Sequence, residues 1–433
     1  MSIYEREYQS KLRTVEEALS LIKTGDTVVA GQCGIEPTTL LQNLHTITPK
    51  VRDITVLCGM TVHEFPYSCD EQYKEFFRNE AIFMMSGNRV SHKRGLQSFY
   101  PADLHNSADR WMYHHKPNVF MAQATPMDEH GYMRISMCLI HEKDTLEASD
   151  TVILEINPNM PRIFGDTEVH IRDVDAVVEV NHPIVKLPRG GELSETDLAI
   201  GRYISELVND GDTIQLGIGS IPDAAAQCFM DKHDLGVHTE MFTNSLVDLV
   251  EAGVVTCSRK SLLRGKMVGV FAYGEQRLYD MLNDNPGVLM MRGSYVNDPT
   301  VLAQNENMVS INTTLAVDLT GQACSESIGS RQYSGTGGAC DTAVGAIHSP
   351  GGRSIVAVHS TKKNGTVSAI TAQLPAGSGV SIGRNSVDYI VTEYGIAPMR
   401  GRSVKERVNN LIAIAHPDFR EELRRDAEKF MIW

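Results

Sequence analysis

The sequence predicts an α/β protein built from two similar open α/β domains, each with a mainly parallel sheet. Apolar runs of strand length alternate with helical or looping segments along the chain, which is typical of parallel sheets covered by helices. One unit also occurs twice without a gap, in Ser20–Gly31 and Glu206–Gly217. Each copy reads as helix, Gly-Asp-Thr, strand and glycine turn, followed by another helix. The repeat indicates two halves on one plan, and a common βα pattern met twice is the alternative.

The first half of the chain contains the elements of one such domain. Residues 15–23 have the spacing of an amphipathic helix, a strand begins at Val28, and a glycine turn leads into a helix over Thr38–Leu44. A stretch rich in proline and glycine, His182–Glu192, predicts a boundary near residue 190, and therefore domains at 1–190 and 191–433. The further strand candidates are Ile54–Cys58, Val119–Ala124, Val152–Ile156 and Ala176–Val180.

The second half repeats the alternation. Its first strand, Ile214–Leu216, passes through a Gly-x-Gly turn into a helix that begins near Pro222. Proline suits the first turn of a helix because the N–H that it lacks would have no partner there. A charged helix that begins at Ala415 closes the chain. The other strand candidates are Val254–Cys257, Val268–Tyr273, Val288–Met291, Val309–Leu315, Ile355–Val358 and Tyr389–Val391.

Composition argues against several classes of function. The 433 residues have a net charge of −14, which argues against a nucleic acid or an anionic membrane as partner. The longest apolar runs, such as Met267–Phe271, are too short to span a bilayer, and the amino terminus has no apolar signal core. The eight cysteines form no Cys-x-x-Cys pair. We therefore expect buried reduced thiols, no metal site and a cytoplasmic location.

Two neighbouring stretches indicate chemistry on an anionic substrate. The turn Gly217–Ile221 leaves free N–H groups at the start of a helix, which is a natural anion site. Glu240 follows in His238-Thr-Glu-Met, after a strand-like approach. A single glutamate is usually a solvated surface charge, so the interpretation of Glu240 depends on this context.

Four motifs in order carry a resemblance to a known family. They are Leu216-Gly-Ile-Gly-Ser-Ile-Pro-Asp, His238-Thr-Glu-Met, Gly335-Thr-Gly-Gly and Asp388-Tyr-Ile-Val-Thr-Glu-Tyr-Gly-Ile-Ala. Together they resemble the acetyl-CoA hydrolase/transferase family, and within it the butyryl-CoA:acetate and 4-hydroxybutyrate CoA-transferases, from about Leu12 to Phe430. The resemblance implies the NagB/RpiA/CoA-transferase-like fold. It also implies acyl-CoA and small carboxylates as substrates, and a homodimer or larger homo-oligomer.

The implied activity moves CoA between a short-chain acyl-CoA and a carboxylic acid through a glutamyl-CoA thioester on the catalytic Glu240, with ping-pong kinetics. Coenzyme A enters as a substrate, and no permanently bound cofactor is expected. Each oxyanion needs fixed N–H donors, and two glycine loops can supply them. The implied oxyanion and substrate residues are Gly337, Gly338, Ala339, Gln215 and Glu393. The implied CoA-binding residues are Gly217, Ile218, Gly219, Ser220, Ile221, Lys362 and Lys363.

The sequence departs from the usual pattern of that group at positions that bear on the acyl group. Ala339 and Thr342 stand where glutamine and phenylalanine are usual, which would open space near Gly338. Arg134 and His141 follow an unusual turn in the first domain, and an arginine can hold a second carboxylate with a bidentate fork. Arg134, His141 and Thr342 are therefore candidates for acyl specificity. We expect a C4–C5 dicarboxylate such as succinate or itaconate to be used at least as well as acetate; the alternative is that the basic residues are solvated loop charges.

Three rival functions remain open on the sequence alone. A thioester hydrolase would use Glu240 and the same glycine loops, with water in place of the acceptor acid. A non-catalytic CoA-binding subunit is disfavoured by the presence of Glu240 and both loops. A Rossmann dehydrogenase is disfavoured because Gly217-Ile-Gly lacks a third glycine at the expected spacing.

Overall fold

The computed structural model describes residues 2–432. The chain forms two compact units. The first contains the residues up to Leu187 together with Gly269–Tyr295, and the second contains Pro188–Val268 and the residues from Val296 onward. Within residues 2–432, no helix combines the length and apolar character that crossing a bilayer requires.

Helices and strands alternate along most of the chain. The helices are α1 Ile3–Lys11, α2 Val15–Leu19, α3 Thr38–Asn43, α4 Pro66–Cys69, α5 Ser86–Lys93, α6 Ser107–Met112, α7 Glu142–Ala148, α8 Glu195–Glu206, α9 Ser220–Gln227, α10 Asn244–Glu251, α11 Gln276–Leu282, α12 Gly293–Val296, α13 Pro299–Leu302, α14 Ala339–His348, α15 Val404–Ile414 and α16 Arg420–Lys429. The strands are β1 Thr27–Ala30, β2 Ile54–Leu57, β3 Phe77–Ala81, β4 Gln97–Phe99, β5 Val119–Ala124, β6 Tyr132–Arg134, β7 Thr151–Ile156, β8 Glu168–His170, β9 Ala176–Glu179, β10 Thr213–Leu216, β11 Gly236–Phe242, β12 Met267–Ala272, β13 Val288–Met290, β14 Met308–Thr313, β15 Ala316–Asp318, β16 Ala323–Cys324, β17 Ser327–Ile328, β18 Arg331–Gln332, β19 Arg353–Ala357, β20 Thr361–Lys362, β21 Val367–Ser368, β22 Ile370–Thr371, β23 Tyr389–Thr392 and β24 Gly395–Pro398.

Seven parallel strands form the main sheet of the first unit, in the order β4-β3-β2-β1-β5-β7-β9. Every residue of β5 is buried, because both faces of a parallel sheet are covered. Its one polar side chain, Gln123, donates to the carbonyl oxygen of Glu36. Apolar side chains of β1 and β2 pack with those of α2 and α3 in one hydrophobic core.

The second unit has a sheet of the same kind. Strands β11-β10-β14-β19-β23 run parallel in that order, and β24 pairs antiparallel with β23 at the edge. Side chains of β19 and β23 share a hydrophobic core with α15 and α16. The predicted class, α/β with two similar and mainly parallel sheets, is confirmed.

The internal repeat predicted from the sequence occupies equivalent places in the two sheets. Strand β1 lies between β2 and β5, and strand β10 lies between β11 and β14. In each unit, the repeated strand therefore pairs on one side with the next strand of the chain and on the other side with a later strand. The Gly-Asp-Thr turns before β1 and β10 place Gly25 and Gly211 at φ values of 84° and 81°. Glycine adopts this left-handed backbone without a steric penalty, which explains why both copies retain it.

Most predicted strands lie within two residues of an observed one, but the strand predicted at Val254–Cys257 is wrong. That segment forms only an isolated bridge between Leu235 and Val255. Gly253, directly before the segment, and Cys257, its last residue, have φ values of 73° and 55°, which interrupt extended backbone. Strands β3 and β4 were not predicted from the sequence, and the helix predicted over residues 15–23 ends at Leu19 in α2.

Candidate active site

Glu240 lies on β11, near the carboxyl end of the strand that pairs with the central β10. Its neighbours Thr239 and Met241 are buried, while Glu240 itself keeps partial exposure. Open α/β sheets bind ligands at the carboxyl ends of their parallel strands. The carboxylate selected from the sequence therefore stands where this fold usually places a reacting group.

The loop that carries Gly337 and Gly338 meets Glu240 directly. Gly337 has a φ of 56°, and Gly338 caps the amino terminus of α14. The Gly338 N–H donates to Glu240 Oε2 at 2.7 Å. A Cβ at residue 338 would come closer than 3.0 Å to Glu240 Oε2 and to Asn297 Nδ2. Only glycine fits at this position without displacing one of these two side chains.

The environment of Glu240 changes its proton affinity. Burial raises the pKa of Glu240 to about 7; the hydrogen bond from Gly338 opposes this shift, and the negative charge of Asp341 adds to it. Near neutral pH, the carboxylate and the carboxylic acid are therefore both populated. Shifts of this kind are concentrated at functional sites.

Asn297 is a further polar residue at this place. Its side chain is fully buried, and neither Oδ1 nor Nδ2 has a hydrogen-bond partner within residues 2–432. A Cβ on residue 338 would lie closer than 3.0 Å to both Asn297 Nδ2 and Glu240 Oε2, so these two atoms flank the same point beside Gly338. A buried amide left unpaired costs about 1–3 kcal/mol. Ordered water or a bound ligand can complete the hydrogen bonding of Asn297.

His238 fixes the chain next to Asn297. Its Nε2 lies 2.9 Å from the carbonyl oxygen of Val296, and its Nδ1 lies 3.2 Å from Asn305 Nδ2. A carbonyl accepts and an amide nitrogen donates, so the imidazole is neutral with its proton on Nε2. Burial, together with the charge of Lys260, lowers the pKa of His238 to about 3. The ring therefore stays neutral and holds Val296, the residue that precedes Asn297.

The turn predicted to bind CoA follows β10 and leads into α9. Gly219 has a φ of 116°, and α9 begins at Ser220, with Pro222 in its first turn. The first N–H groups of a helix have no partner within the helix, which makes such a turn suitable for an anion. Ile218 is 42% exposed beside it, and Ile221 is buried.

The second predicted CoA-binding segment is the lysine loop, residues 359–363, which follows β19. Lys362 is half-buried on β20, and burial lowers its pKa. Lys363 is exposed in the following turn at a φ of 49°. Glu393 accepts hydrogen bonds from the N–H and the hydroxyl of Ser360, at 3.0 and 2.5 Å. Glu393 therefore fixes the start of the lysine loop.

Gln215 and Thr342 belong to one buried polar network. The hydroxyl of Ser310 lies 3.3 Å from Gln215 Oε1 and 3.0 Å from Thr342 Oγ1. The amide of Asn312 donates to Thr342 Oγ1 at 3.0 Å and to the carbonyl oxygen of Ala339 at 3.4 Å. Thr342 is thus buried and hydrogen-bonded, and it fills its position instead of opening the space that the sequence suggested.

Arg134 and His141 lie in the first unit. Arg134 stands opposite Glu168 in the β6–β8 pair, with Nη2 3.6 Å from Glu168 Oε1, and its guanidinium covers the ring of Phe164 at 5.0 Å. Nε and Nη1 of Arg134 are buried and have no hydrogen-bond partner among the described residues. His141 is buried, with its ring 3.4 Å from the amide of Gln32. Arg134 is therefore a largely buried cation with unused donors, and not a solvated loop charge.

Comparison with known proteins identifies the family. Residues 1–187 match the acetyl-CoA hydrolase/transferase N-terminal domain, and residues 274–427 match the acetyl-CoA hydrolase/transferase C-terminal domain. The chain belongs to the acetyl-CoA hydrolase/transferase family. The family predicted from the four motifs is confirmed.

Relatives within the acetyl-CoA hydrolase/transferase family match along nearly their whole length. The succinyl-CoA:cyclohexane-1-carboxylate CoA transferase of Geobacter metallireducens is 38% identical over 98% of this chain and 97% of its own. The 4-hydroxybutyrate coenzyme A transferase of Clostridium kluyveri is 38% identical over 98% of this chain and 99% of its own. The crystal structure of RipA from Yersinia pestis has a TM-score of 0.93 and 35% identity, and covers 100% of both chains. The predicted enzyme class, a CoA-transferase, is confirmed.

Two residues that contact the loops of the candidate site were not predicted from the sequence. Asn297 stands in Asn-Asp-Pro, where Asp298 caps α13, so the stretch has the appearance of an ordinary helix start. Asp197 completes a Ser-x-x-Asp capping box with Ser194 at the start of α8, and the box accounts for its presence. Neither residue gives a sequence signal beyond a helix cap, and only tertiary contacts reveal their further roles.

Proposed function

We propose that this member of the family is an acyl-CoA:carboxylate CoA-transferase that moves CoA between a short-chain acyl-CoA and a carboxylic acid, through a glutamyl-CoA thioester on Glu240. The observation that carries the proposal is the hydrogen bond from the Gly338 N–H to Glu240 Oε2. It lies beside the amide of Asn297, which has no hydrogen-bond partner in the described part of the chain. A nucleophile and the donors for a developing oxyanion then lie in one place.

In the first step, Oε1 of Glu240 attacks the carbonyl carbon of the acyl-CoA thioester. Within the described residues Oε1 accepts no hydrogen bond, whereas Oε2 is held by Gly338. The C–S bond breaks as the C–O bond forms, which leaves a mixed anhydride on Glu240 and CoA as a thiolate. Only ionised Glu240 can attack, and its pKa of about 7 keeps a large ionised fraction at neutral pH.

In the second step, the CoA thiolate attacks Cδ of Glu240. Negative charge then develops on Oε2, the oxygen that already accepts from Gly338. Asn297 Nδ2 has no hydrogen-bond partner among residues 2–432. Both Nδ2 and Oε2 would lie within 3.0 Å of a Cβ on residue 338, so Nδ2 can supply a second donor. The original acyl group leaves as a free carboxylate, and the glutamyl-CoA thioester remains. The acceptor acid then reverses the two steps.

The proposed acids are of the acetate, butyrate or 4-hydroxybutyrate type. Relatives 38% identical to this chain are named as a 4-hydroxybutyrate coenzyme A transferase and a butyryl-CoA:acetate CoA-transferase. We also propose that the protein works in the cytoplasm as a homodimer or larger homo-oligomer, and needs no bound cofactor besides its CoA substrate. Light scattering of the purified protein, and an assay after exhaustive dialysis, test the last two points.

A finer proposal is that a C4–C5 dicarboxylate such as succinate or itaconate is also accepted. The proposal is based on the charge of Arg134, whose side chain is 12% exposed and pairs with Glu168 through Nη2, while Nε and Nη1 have no hydrogen-bond partner among the described residues. A relative is named for a succinyl-CoA donor. Rates with succinate and butyrate, in the wild type and in Arg134→Leu, test the proposal. An unchanged succinate-to-butyrate ratio in the variant would remove Arg134 from acyl selection.

The main experiment concerns the covalent intermediate. Glu240→Ala should lose CoA transfer by several orders of magnitude while still showing the thermal melt of a folded protein. The matched control is Glu306→Ala, which removes an exposed glutamate of the same unit and should keep the wild-type rate. Incubation with acyl-CoA alone, followed by hydroxylamine, should modify Glu240, as peptide mass spectrometry would show. Full activity in Glu240→Ala contradicts the mechanism. Thioester consumption without any added carboxylate would instead identify a hydrolase.

A further inference from the structure

One carboxylate oxygen joins the two segments proposed to bind CoA. Asp197 is 5% exposed near the start of α8. Its Oδ2 accepts from the backbone N–H and the hydroxyl of Ser194, which completes the capping box. Its Oδ1 has a different role, because it accepts from the Ser220 hydroxyl at 2.6 Å and from His359 Nε2 at 2.8 Å. Capping α8 requires neither of these contacts.

The two donors belong to loops that the sheet itself keeps apart. Ser220 follows β10 and begins α9, directly after the Gly219 turn. His359 follows β19 and begins the lysine loop. Strand β14 lies between β10 and β19, so no strand pairing connects the two loops. Asp197 supplies that connection from α8.

The connection is charged and well defined. Burial alone would raise the pKa of Asp197, but hydrogen bonds from Ser194, Ser220 and His359 outweigh it and lower the pKa to about 2. The acceptor is therefore a carboxylate at every pH at which the enzyme would be assayed. Hydrogen bonds to a charged acceptor are about twice as strong as neutral ones. The neighbouring Ser360 is fixed independently by Glu393, so the lysine loop is held at two successive residues.

We propose that Asp197 and His359 are positioning residues that hold the Ser220 turn and the lysine loop in one arrangement, so that both bind the phosphate-bearing part of CoA together. This inference rests on the proposed function. The Ser220 turn offers free N–H groups, and the lysine loop offers Lys362 and Lys363. A ligand with several negative charges binds most tightly when both groups of donors are already in place. Ordering the loops beforehand lowers the entropy cost of binding.

The test is a comparison of His359→Leu with His359→Gln in the full-length protein. Leucine removes the donor, whereas the glutamine amide can still donate to Asp197 Oδ1. His359→Leu should raise the KM for acyl-CoA about tenfold with kcat nearly unchanged, and His359→Gln should restore most of the loss. The matched control is His233→Leu, which removes another histidine paired with an aspartate, Asp210, on the exposed surface of the same unit.

Two further measurements separate positioning from a general structural effect. An acyl-pantetheine donor lacks the nucleotide and its phosphates, so His359→Leu should not change its KM. Ser220→Ala and His359→Leu share one acceptor oxygen, so the double variant should lose less than the product of the two single effects.

The inference is overturned if the KM for acyl-CoA in His359→Leu equals that of the control, if acyl-pantetheine suffers equally, or if glutamine fails to rescue. A failure of the proposed function would be seen separately, because Glu240→Ala would then remain active, independently of the results with the His359 variants.

Discussion

A methyl group on residue 338 is the smallest change that tests the proposed chemistry. Gly338 has φ and ψ of −93° and 11°, values that alanine also adopts, so Gly338→Ala adds no backbone strain. The added Cβ would approach Glu240 Oε2 and Asn297 Nδ2 closer than 3.0 Å, which no real Cβ contact tolerates. Either the carboxylate leaves the Gly338 N–H or the Asn297 amide moves away from it. Each outcome removes one donor from the oxygen that would carry the negative charge.

The size of the effect follows from the loss of one such donor. Removal of a single oxyanion donor costs about 2.7–4 kcal/mol, or roughly 10²–10³ in kcat. The extra packing strain should lower the free energy of unfolding by about 1–3 kcal/mol, which is small enough for a folded protein. The KM for acyl-CoA should change by only a few-fold, because residue 338 touches the nucleophile and is not part of the proposed CoA-binding loops.

The assay is an initial-rate measurement of CoA transfer, with CoA affinity by calorimetry and a thermal melt on the same samples. Gly383→Ala is the matched control, because Gly383 lies in the same unit and a Cβ there would meet no atom within 4 Å. A kcat within threefold of the wild type, in a folded Gly338→Ala protein, would refute the role of this N–H. Collapse of CoA affinity with an unchanged kcat would mean that the loop binds CoA instead.

Three further predictions concern the same unit. Because Glu240 must be ionised to attack and its pKa is about 7, kcat/KM should rise about tenfold per pH unit below neutrality and level off above it, and a profile flat from pH 5 to 8 would contradict this. Because the pKa of Glu240 is raised from 4.5 to about 7, the wild type loses stability as the pH rises through this range. In urea melts, Glu240→Gln should therefore be more stable than the wild type at pH 8, by about 2 kcal/mol after allowance for the partial exposure of Glu240. At pH 5 most of this difference should disappear. His238→Leu should lower kcat about tenfold or more, because it releases Val296 and with it Asn297. His238→Gln can still donate and accept hydrogen bonds, so it should recover most of the lost kcat. Equal losses of kcat in both variants would show that the ring matters only for packing.

The sequence predicted the buried parts of the fold well, for a physical reason. Strand β5 was predicted with its observed ends, because a strand covered on both faces is mostly apolar, and Gln123 is its one polar residue. The strand predicted at Val254–Cys257 was wrong because positive φ values at Gly253 and Cys257 depend on the local turn, which apolar content does not report. Strand β11 was anticipated only as an approach to Glu240, since His238, Thr239 and Glu240 interrupt its apolar pattern.

The candidate site was predictable in its residue types but not in its contacts. Glu240 and Gly338 were both selected from motifs 98 residues apart, yet nothing in the sequence indicated that the N–H of one would hold the carboxylate of the other. Asn297 could not be predicted, because its significance depends on tertiary surroundings that leave its buried amide without a hydrogen-bond partner among residues 2–432. Thr342 was expected to open space and is instead part of a polar network, since a hydroxyl can find acceptors and donors that a phenylalanine cannot.

The division of the chain into units has a consequence for biosynthesis. The first unit includes Gly269–Tyr295, a segment that the ribosome makes only after the whole of Pro188–Val268, which belongs to the second unit. At about 5–20 residues per second, translation separates Leu187 from Tyr295 by roughly 5–20 seconds. During that interval the nascent first unit lacks β13 and α11, while β10 and β11 of the second unit have already been synthesised. Synthesis of the first unit is therefore complete only after synthesis of the second unit has begun. A gene divided once, after Leu187, would encode a first fragment that lacks Gly269–Tyr295.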